Sequence, residues 1–221
     1  QSLRERYLML RYISPHTKRM IERQIHDKDA EKGEKKNLII FFSDIRGFTA
    51  FSEHRSPEEV IVNLNTILAK QADIIEQFGG DIDKFVGDEI VALFEGEDAA
   101  FRAIKAGALI QNMIQENKEH NEFDPILSLG IGIASGEVVI GNIGSEGRKD
   151  FTIIGSNVNL ASRICSAAKT DEVLLSSDVF RKLTEENHEA LKKEGVSLKQ
   201  KGLLKAKGFT NELHIYSCLR D

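Results

Sequence analysis

The 221 residues carry a formal net charge of −5 with a pI near 5.8 and are 41% hydrophobic, enough apolar material for one large domain burying about 70% of its unfolded surface. That charge excludes a general electrostatic grip on nucleic acid or an anionic membrane, so a phosphorylated ligand must be held by a local site. Cys165 and Cys218 are too few for a disulfide framework and read as packing residues, and no apolar run reaches the ~20 residues of a membrane span. A cytoplasmic setting without direct membrane insertion is expected. The opening on Gln1 reads as a cut from a longer parent that can itself be membrane-anchored.

Along residues 1–13, Leu3, Tyr7 and Leu10 fall at helical spacing, and Ser14-Pro15 starts a helix bearing Met20, Ile21 and Ile25. This segment reads equally as a helix packed on its own domain and as a connector from an upstream sensor. His26 to Lys36 is charged and reads as a solvated loop, which sets a boundary between a 1–36 connector and a 37–221 folded domain. Asn37 to Phe42 is an apolar run of strand length ending at Ser43-Asp44, which predicts a central strand with Asp44 at its end. Ile45-Arg46-Gly47-Phe48-Thr49 then forms a glycine-containing turn into a short helix, a geometry that aims backbone N–H groups at an anion.

Ser56, Pro57 and Glu59 fit a cap, a first-turn proline and a capping box for a helix with Val60, Leu64, Ile67, Ile74 and Phe78 on one face, ending at Gly79-Gly80. Strands Ile82–Val86 and Ile90–Phe94 flank a tight turn at Gly87-Asp88 that holds the Asp88 carboxylate at a sheet end. A carboxylate at a turn is ordinary by itself. Lys84 has Ile82, Phe85 and Val86 as neighbours, apolar enough to be buried, so its ammonium needs a partner or a ligand.

A second helix over Glu97 to Gln115 carries Ala103, Gly107, Ile110 and Ile114, and Leu127 to Ala134 reads as a strand. The glycines of 130–136 (GIGIASG) superficially fit a dinucleotide fingerprint, but no helix follows them, which excludes that reading. Gly136–Ile143 and Phe151–Ile154 read as paired strands around the polar loop SEGRKD. A helix then starts near Ser156, with Asn159 and Arg163 on one surface and Val158, Leu160 and Ile164 on the packing side. A polar face with an exposed arginine accounts for that pair as simply as a site does. Strand and helix alternate through Val173–Leu175, Val179–Leu183 and Val196–Leu198, and a last strand, Leu213–Cys218, follows Lys205-Ala206-Lys207-Gly208. The order predicts an α+β fold: a ferredoxin-like antiparallel sheet with helices on one face, plus a small C-terminal α/β extension.

Four segments, FFSDIRGFT at 41–49, DKFVGDEIVALF at 83–94, GIGIASGEVVIGNIGSE at 130–146 and DFTIIGSNVNLASRI at 150–164, together resemble the class III nucleotidyl cyclases, a likeness running from about Leu38 to the end. The resemblance implies that Asp44, Asp88 and the backbone carbonyl of Ile45 bind two Mg²⁺ or Mn²⁺ ions across an in-line displacement at phosphorus. It implies that N–H groups of Ile45, Arg46, Gly47, Phe48 and Thr49 hold the terminal phosphates, aided by Lys207, with Lys205 the competing choice of register. Asn159 would orient the ribose and Arg163 would stabilise charge on the α-phosphate in the transition state.

By the same resemblance Lys84 and Thr152 choose the base. An ammonium donates to N1 of adenine, and a hydroxyl accepts from the adenine amino group; many relatives have aspartate in place of Thr152, and guanylyl cyclases typically carry glutamate and cysteine at the two positions. The implied reaction is ATP to 3′,5′-cyclic AMP and pyrophosphate. Thr152 also carries the implication of a response to bicarbonate. The family builds each site from two chains, Lys84, Thr152, Asn159, Arg163 and Lys207 from one and Asp44 and Asp88 from the other, so a symmetric homodimer coupled to an upstream sensor is expected. The competing readings are a guanylyl cyclase, a degenerate nucleotide-binding regulatory module, and a diguanylate cyclase, whose motif Gly79-Gly80-Asp81 begins but Ile82-Asp83 does not continue.

Overall fold

The computed structural model describes residues 33–120, 128–145, 147–205 and 212–220, together with positions 13, 17, 18, 21 and 22. Lys207 and most of the N-terminal helix reading, including Leu3, Tyr7, Leu10, Met20 and Ile25, lie outside the described residues.

The fold is organised on β1 (Glu34–Arg46), whose side chains alternate between two cores. Ile39, Phe41 and Ile45 point into one, and Leu38, Ile40 and Phe42 into the other. A strand buried on both faces has no polar side, which is why its sequence is an unbroken apolar run. β1 pairs antiparallel with β3 (Glu89–Phe94) on one flank and with β4 (Ser128–Ser145) on the other. With β2 (Asp81–Val86), β6 (Glu172–Ser176), β7 (Val196–Leu204) and β8 (Leu213–Arg220), the described residues form a sheet of order β2-β3-β1-β4-β6-β8-β7, and β5 (Arg148–Ile154) pairs with the far part of β4.

The α+β class is as expected, with two refinements. The sheet is mixed, because β4 and β6 run parallel. Helices also cover both faces. On one, α2 (Pro57–Gln77) and α3 (Ala99–His120) bury Ile67, Ile75, Ile104 and Ile110 against Phe41; on the other, α4 (Ser156–Ala167) packs Leu160, Ala161, Ile164 and Cys165 against Ile40 and Phe42. The shorter helices are α1 (Phe48–Ser52), α5 (Ser177–Arg181) and α6 (Glu185–Lys193). Among the described residues no helix is long and apolar enough to cross a membrane.

The capping box of α2 forms as read: Ser56 N–H donates to Glu59 Oε2 at 3.0 Å, and Glu59 N–H donates to Ser56 Oγ at 3.3 Å. Its buried face also takes in Gln71, which accepts from Ser43 Oγ at 2.6 Å, so the two buried polar groups satisfy each other between α2 and β1.

Three strand boundaries differ from expectation. β1 begins at Glu34, inside the charged stretch, because Glu34 to Lys36 pair in backbone register with Ile140 to Val138 while Lys35 and Lys36 reach Glu137 and Glu95 at 3.1 and 2.7 Å. The strands expected over Leu127–Ala134 and Gly136–Ile143 are one strand, β4, and its glycines mark close packing instead of reversal. At Gly132 a Cβ would stand 2.1 Å from the Cys165 backbone nitrogen, so the α4 backbone lies directly on the strand. β5 begins at Arg148, so part of the expected polar loop is paired. The chain enters β1 past β4, where a Cβ at Gly141 would stand 3.1 Å from the Gly33 Cα.

Candidate active site

Alternation along β1 puts Asp44 on the same face as Phe42, under α4. Across the ladder it is paired with Glu89, and Gly87, at φ 61°, makes the tight turn that sets Asp88 immediately before Glu89. Three carboxylates therefore gather at one sheet end. Burial raises the Asp44 carboxyl above its ordinary range and Asp88 adds to the rise, while Arg46 opposes it. Glu89 is pushed up to about 6, chiefly by burial and then by the charges of Asp44 and Asp88.

Arg46 faces this cluster from the same strand. Its guanidinium donates to Asp44 Oδ2, to the Cys165 carbonyl and, at 3.0 Å, to the Ala168 carbonyl, tying the metal-binding candidate Asp44 to the C-terminal end of α4. Its Nε is buried without a partner among the described residues. The Arg46 guanidinium is thus engaged inside the domain, which leaves only its backbone for the phosphate cradle expected from the sequence. Ile45 points its side chain into the core, and the chain turns at Gly47 into α1, where Phe48 packs on Phe51 and Thr49 lies in the first turn.

A second cluster lies on β2 and β5. The β2–β3 register shifts between Ile82 and Lys84, so Asp83 is an extra residue in the strand. Neighbours on a regular strand point to opposite faces, and the bulge lets Asp83 and Lys84 converge. Lys84 Nζ donates to Thr152 Oγ1 and is 3.2 Å from Asp83 Oδ2, and Thr152 Oγ1 donates to the same Asp83 oxygen at 3.2 Å. Lys84 therefore has a partner, in surroundings that leave its side chain 39% exposed. Those surroundings differ from expectation: Phe85 and Val86 are 51% and 53% exposed, because β2 is the sheet edge and only Ile82 of the three apolar neighbours is buried.

β5 passes through Gly155 directly into α4, so Thr152 and the α4 side chains share one short stretch of chain. Asn159 is exposed and Arg163 half-buried, on the shoulder of the helix away from Leu160, Ala161, Ile164 and Cys165. Burial pushes the thiols of Cys165 and Cys218 up to about 12, which leaves both unreactive packing residues. Lys205 is exposed just beyond β7.

Asp44 and Asp88 are hard oxygen donors in a cluster where burial first, and neighbouring carboxylates after it, raise Asp44 and Glu89, a donor set that fits Mg²⁺ or Mn²⁺. Among the described residues no three His, Cys, Asp or Glu side chains close on one point, so remaining ligands would come from the Ile45 carbonyl, water and substrate.

Glu89, Asp83 and the Ser43–Gln71 pair were not singled out from sequence. Glu89 follows Asp88 directly, and only the register of β3 shows that it faces Asp44.

Residues 30–215 match the family model of the adenylate and guanylate cyclase catalytic domain. The chain belongs to that family. Among curated relatives of the cyclase domain, an adenylate cyclase of Anabaena cylindrica is 36% identical over 175 residues, covering 76% of this chain and 35% of that protein. A terminal-differentiation-specific adenylate cyclase of Dictyostelium discoideum is 40% identical over 131 residues, covering 58% of this chain and 6% of that protein. The chain thus spans about a third or less of these relatives. Among solved structures, the adenylyl cyclase CyaB from P. aeruginosa superposes with a TM-score of 0.74 at 33% identity, covering 86% of this chain and 97% of that one. The guanylyl cyclase Cya2 gives 0.74 at 34%, covering 84% and 93%. Likeness to the two is equal, so it does not choose the base.

Proposed function

We propose that this cyclase domain converts ATP to 3′,5′-cyclic AMP and pyrophosphate at sites shared by two copies of the chain. The Lys84–Thr152 contact carries the reading. An ammonium beside a hydroxyl that can accept offers a donor to N1 and an acceptor to the 6-amino group of adenine; guanine presents a donor at N1 and an acceptor at O6 and meets both with the wrong sign. GTP is the competing substrate, since Cya2 is as similar to this chain as CyaB is.

In the reaction the ribose 3′-oxygen bonds to the α-phosphorus, the bond to the bridging oxygen of pyrophosphate breaks, and the hydroxyl proton passes to solvent water. Two divalent ions held by Asp44, Asp88 and the Ile45 carbonyl supply Lewis acidity when bound. Asn159 orients the ribose and Arg163, a fixed cation, offsets charge growing on the α-phosphate. The N–H groups of residues 45–49 and Lys207 take the terminal phosphates. Assembly is supported by apolar side chains left open near the base-reading cluster: Phe85, Val86, Ile143 and Ile154 are 51%, 53%, 41% and 52% exposed, and a second copy is the expected cover.

The test is cyclic nucleotide formation from ATP and from GTP with Mg²⁺ and with Mn²⁺ over a series of protein concentrations. Cyclic AMP is expected in excess, with specific activity rising with concentration. No turnover of either nucleotide with Mn²⁺ at high concentration would move the regulatory-module reading ahead.

A further inference from the structure

We infer that Asp83 is a positioning residue for base choice: it fixes the Thr152 hydroxyl so that toward the ligand this oxygen only accepts. The inference rests on the adenylyl cyclase reading and deepens it. A hydroxyl has one hydrogen to give and two acceptor sites. Thr152 gives its hydrogen to Asp83 Oδ2 at 3.2 Å and takes one from Lys84 Nζ. One acceptor site remains. An exocyclic amine on the base meets it favourably, and an exocyclic carbonyl meets lone pair against lone pair.

Asp83 is built for this task. Its side chain is 1% exposed, so a buried carboxylate, an acceptor with no hydrogen to offer, stands behind the threonine where water does not compete for the O–H. It reaches that place through the bulge, which turns Asp83 to the same side as Lys84. Its 3.2 Å approach to Lys84 also holds the ammonium beside the hydroxyl. Without Asp83 the Thr152 hydrogen is free to rotate outward and donate to a carbonyl, and the discrimination against guanine weakens. The acceptor that a ligand meets at Thr152 is thus set one residue further back.

The test is a double-substitution cycle read as the ratio of kcat/KM for ATP to that for GTP. Asp83→Ala removes the carboxylate that accepts the Thr152 hydrogen, and the ratio is expected to fall about tenfold. In a Thr152→Val background the same change is expected to leave the ratio within about twofold, since there is no hydroxyl to orient. Thr152→Ser is expected to keep the full dependence on Asp83. If Asp83→Ala does not fold, Asp83→Leu, which fills the buried space without an acceptor, enters the same cycle. An equal fall with and without the Thr152 hydroxyl would overturn the inference, leaving Asp83 as a partner of Lys84 alone, and an unchanged ratio in Asp83→Ala would overturn it outright. These outcomes are distinct from failure of the base assignment, which shows in the unaltered domain as preference for GTP or as no turnover, and which takes the inference with it.

Discussion

At the end of β1, Asp44, Asp88 and Glu89 crowd one another, and burial together with mutual repulsion raises two of the three carboxyls against the pull of Arg46. A few residues back from Asp88 along β2, Asp83 and Lys84 meet Thr152 of β5, and the three complete one another's hydrogen bonds. The first cluster is left with surplus charge that a cation relieves, and its donors are hard oxygens. The second has no charge to relieve and presents a fixed order of donors and acceptors. On the proposed reading, the two clusters separate two tasks, holding ions and reading a base, by leaving charge unbalanced in one place and satisfying it in the other.

The sharpest way to break this comparison is to remove one side of it. Asp44→Ala is expected to lower cyclase activity by about a thousandfold or more, and Arg163→Ala by a similar factor. Mixed in equal amounts, the two inactive chains are expected to recover about a quarter of the unaltered activity, since half of the dimers then hold one intact site of two. No recovery on mixing would place both clusters in the same site of one chain. A smaller effect is expected from exchanging the base-reading pair. Lys84→Glu with Thr152→Cys should shift the ATP-to-GTP ratio of kcat/KM by about a hundredfold toward GTP and leave the dependence on Mn²⁺ concentration where it was. A changed metal dependence would show that the clusters are not separable.

The smallest effect concerns Glu89 and is one of stability. Its carboxyl titrates near 6 in the fold against an ordinary 4.5. The protonated form is therefore the one the fold prefers, and its contribution is complete below about pH 4.5 and lost as the pH rises through about 6. Above that, the ionised group works against Asp44 and Asp88. Glu89→Gln is expected to raise unfolding free energy at pH 7.5 by about 1 kcal/mol, the solvent around this half-exposed group reducing the effect. Urea denaturation at pH 4.5 and pH 7.5 checks it: the gain should vanish at the lower pH. A gain that persists there would assign it to packing.

Much of the acidic cluster was legible in the residues, because strand ends and tight turns announce themselves: the apolar run before Asp44 and the glycine before Asp88 fix both positions locally. The second face of the sheet was not read, although its signal stands in the same run. Five consecutive apolar residues from Leu38 to Phe42 require cover on both sides, which makes a helix on each face the simpler expectation. β4 was divided because glycine marks turns and close approaches alike, and only the helix lying on Gly132 distinguishes them. Asp83 was hidden for another reason. Period-two alternation sends neighbours to opposite faces, and no residue near Ile82 signals the bulge that cancels it.

The close passage of Gly33 over Gly141 has a mechanical consequence. Gly141 is the register partner of Thr152 in the β4–β5 ladder, so the incoming chain rests beside the rung that carries Thr152. Two main chains meet there with no side chain between them to yield. If Thr152 reads the base as proposed, a displacement of Gly33 is passed by that contact to the ladder rung of Thr152, which gears affinity for the base to the path of the incoming strand.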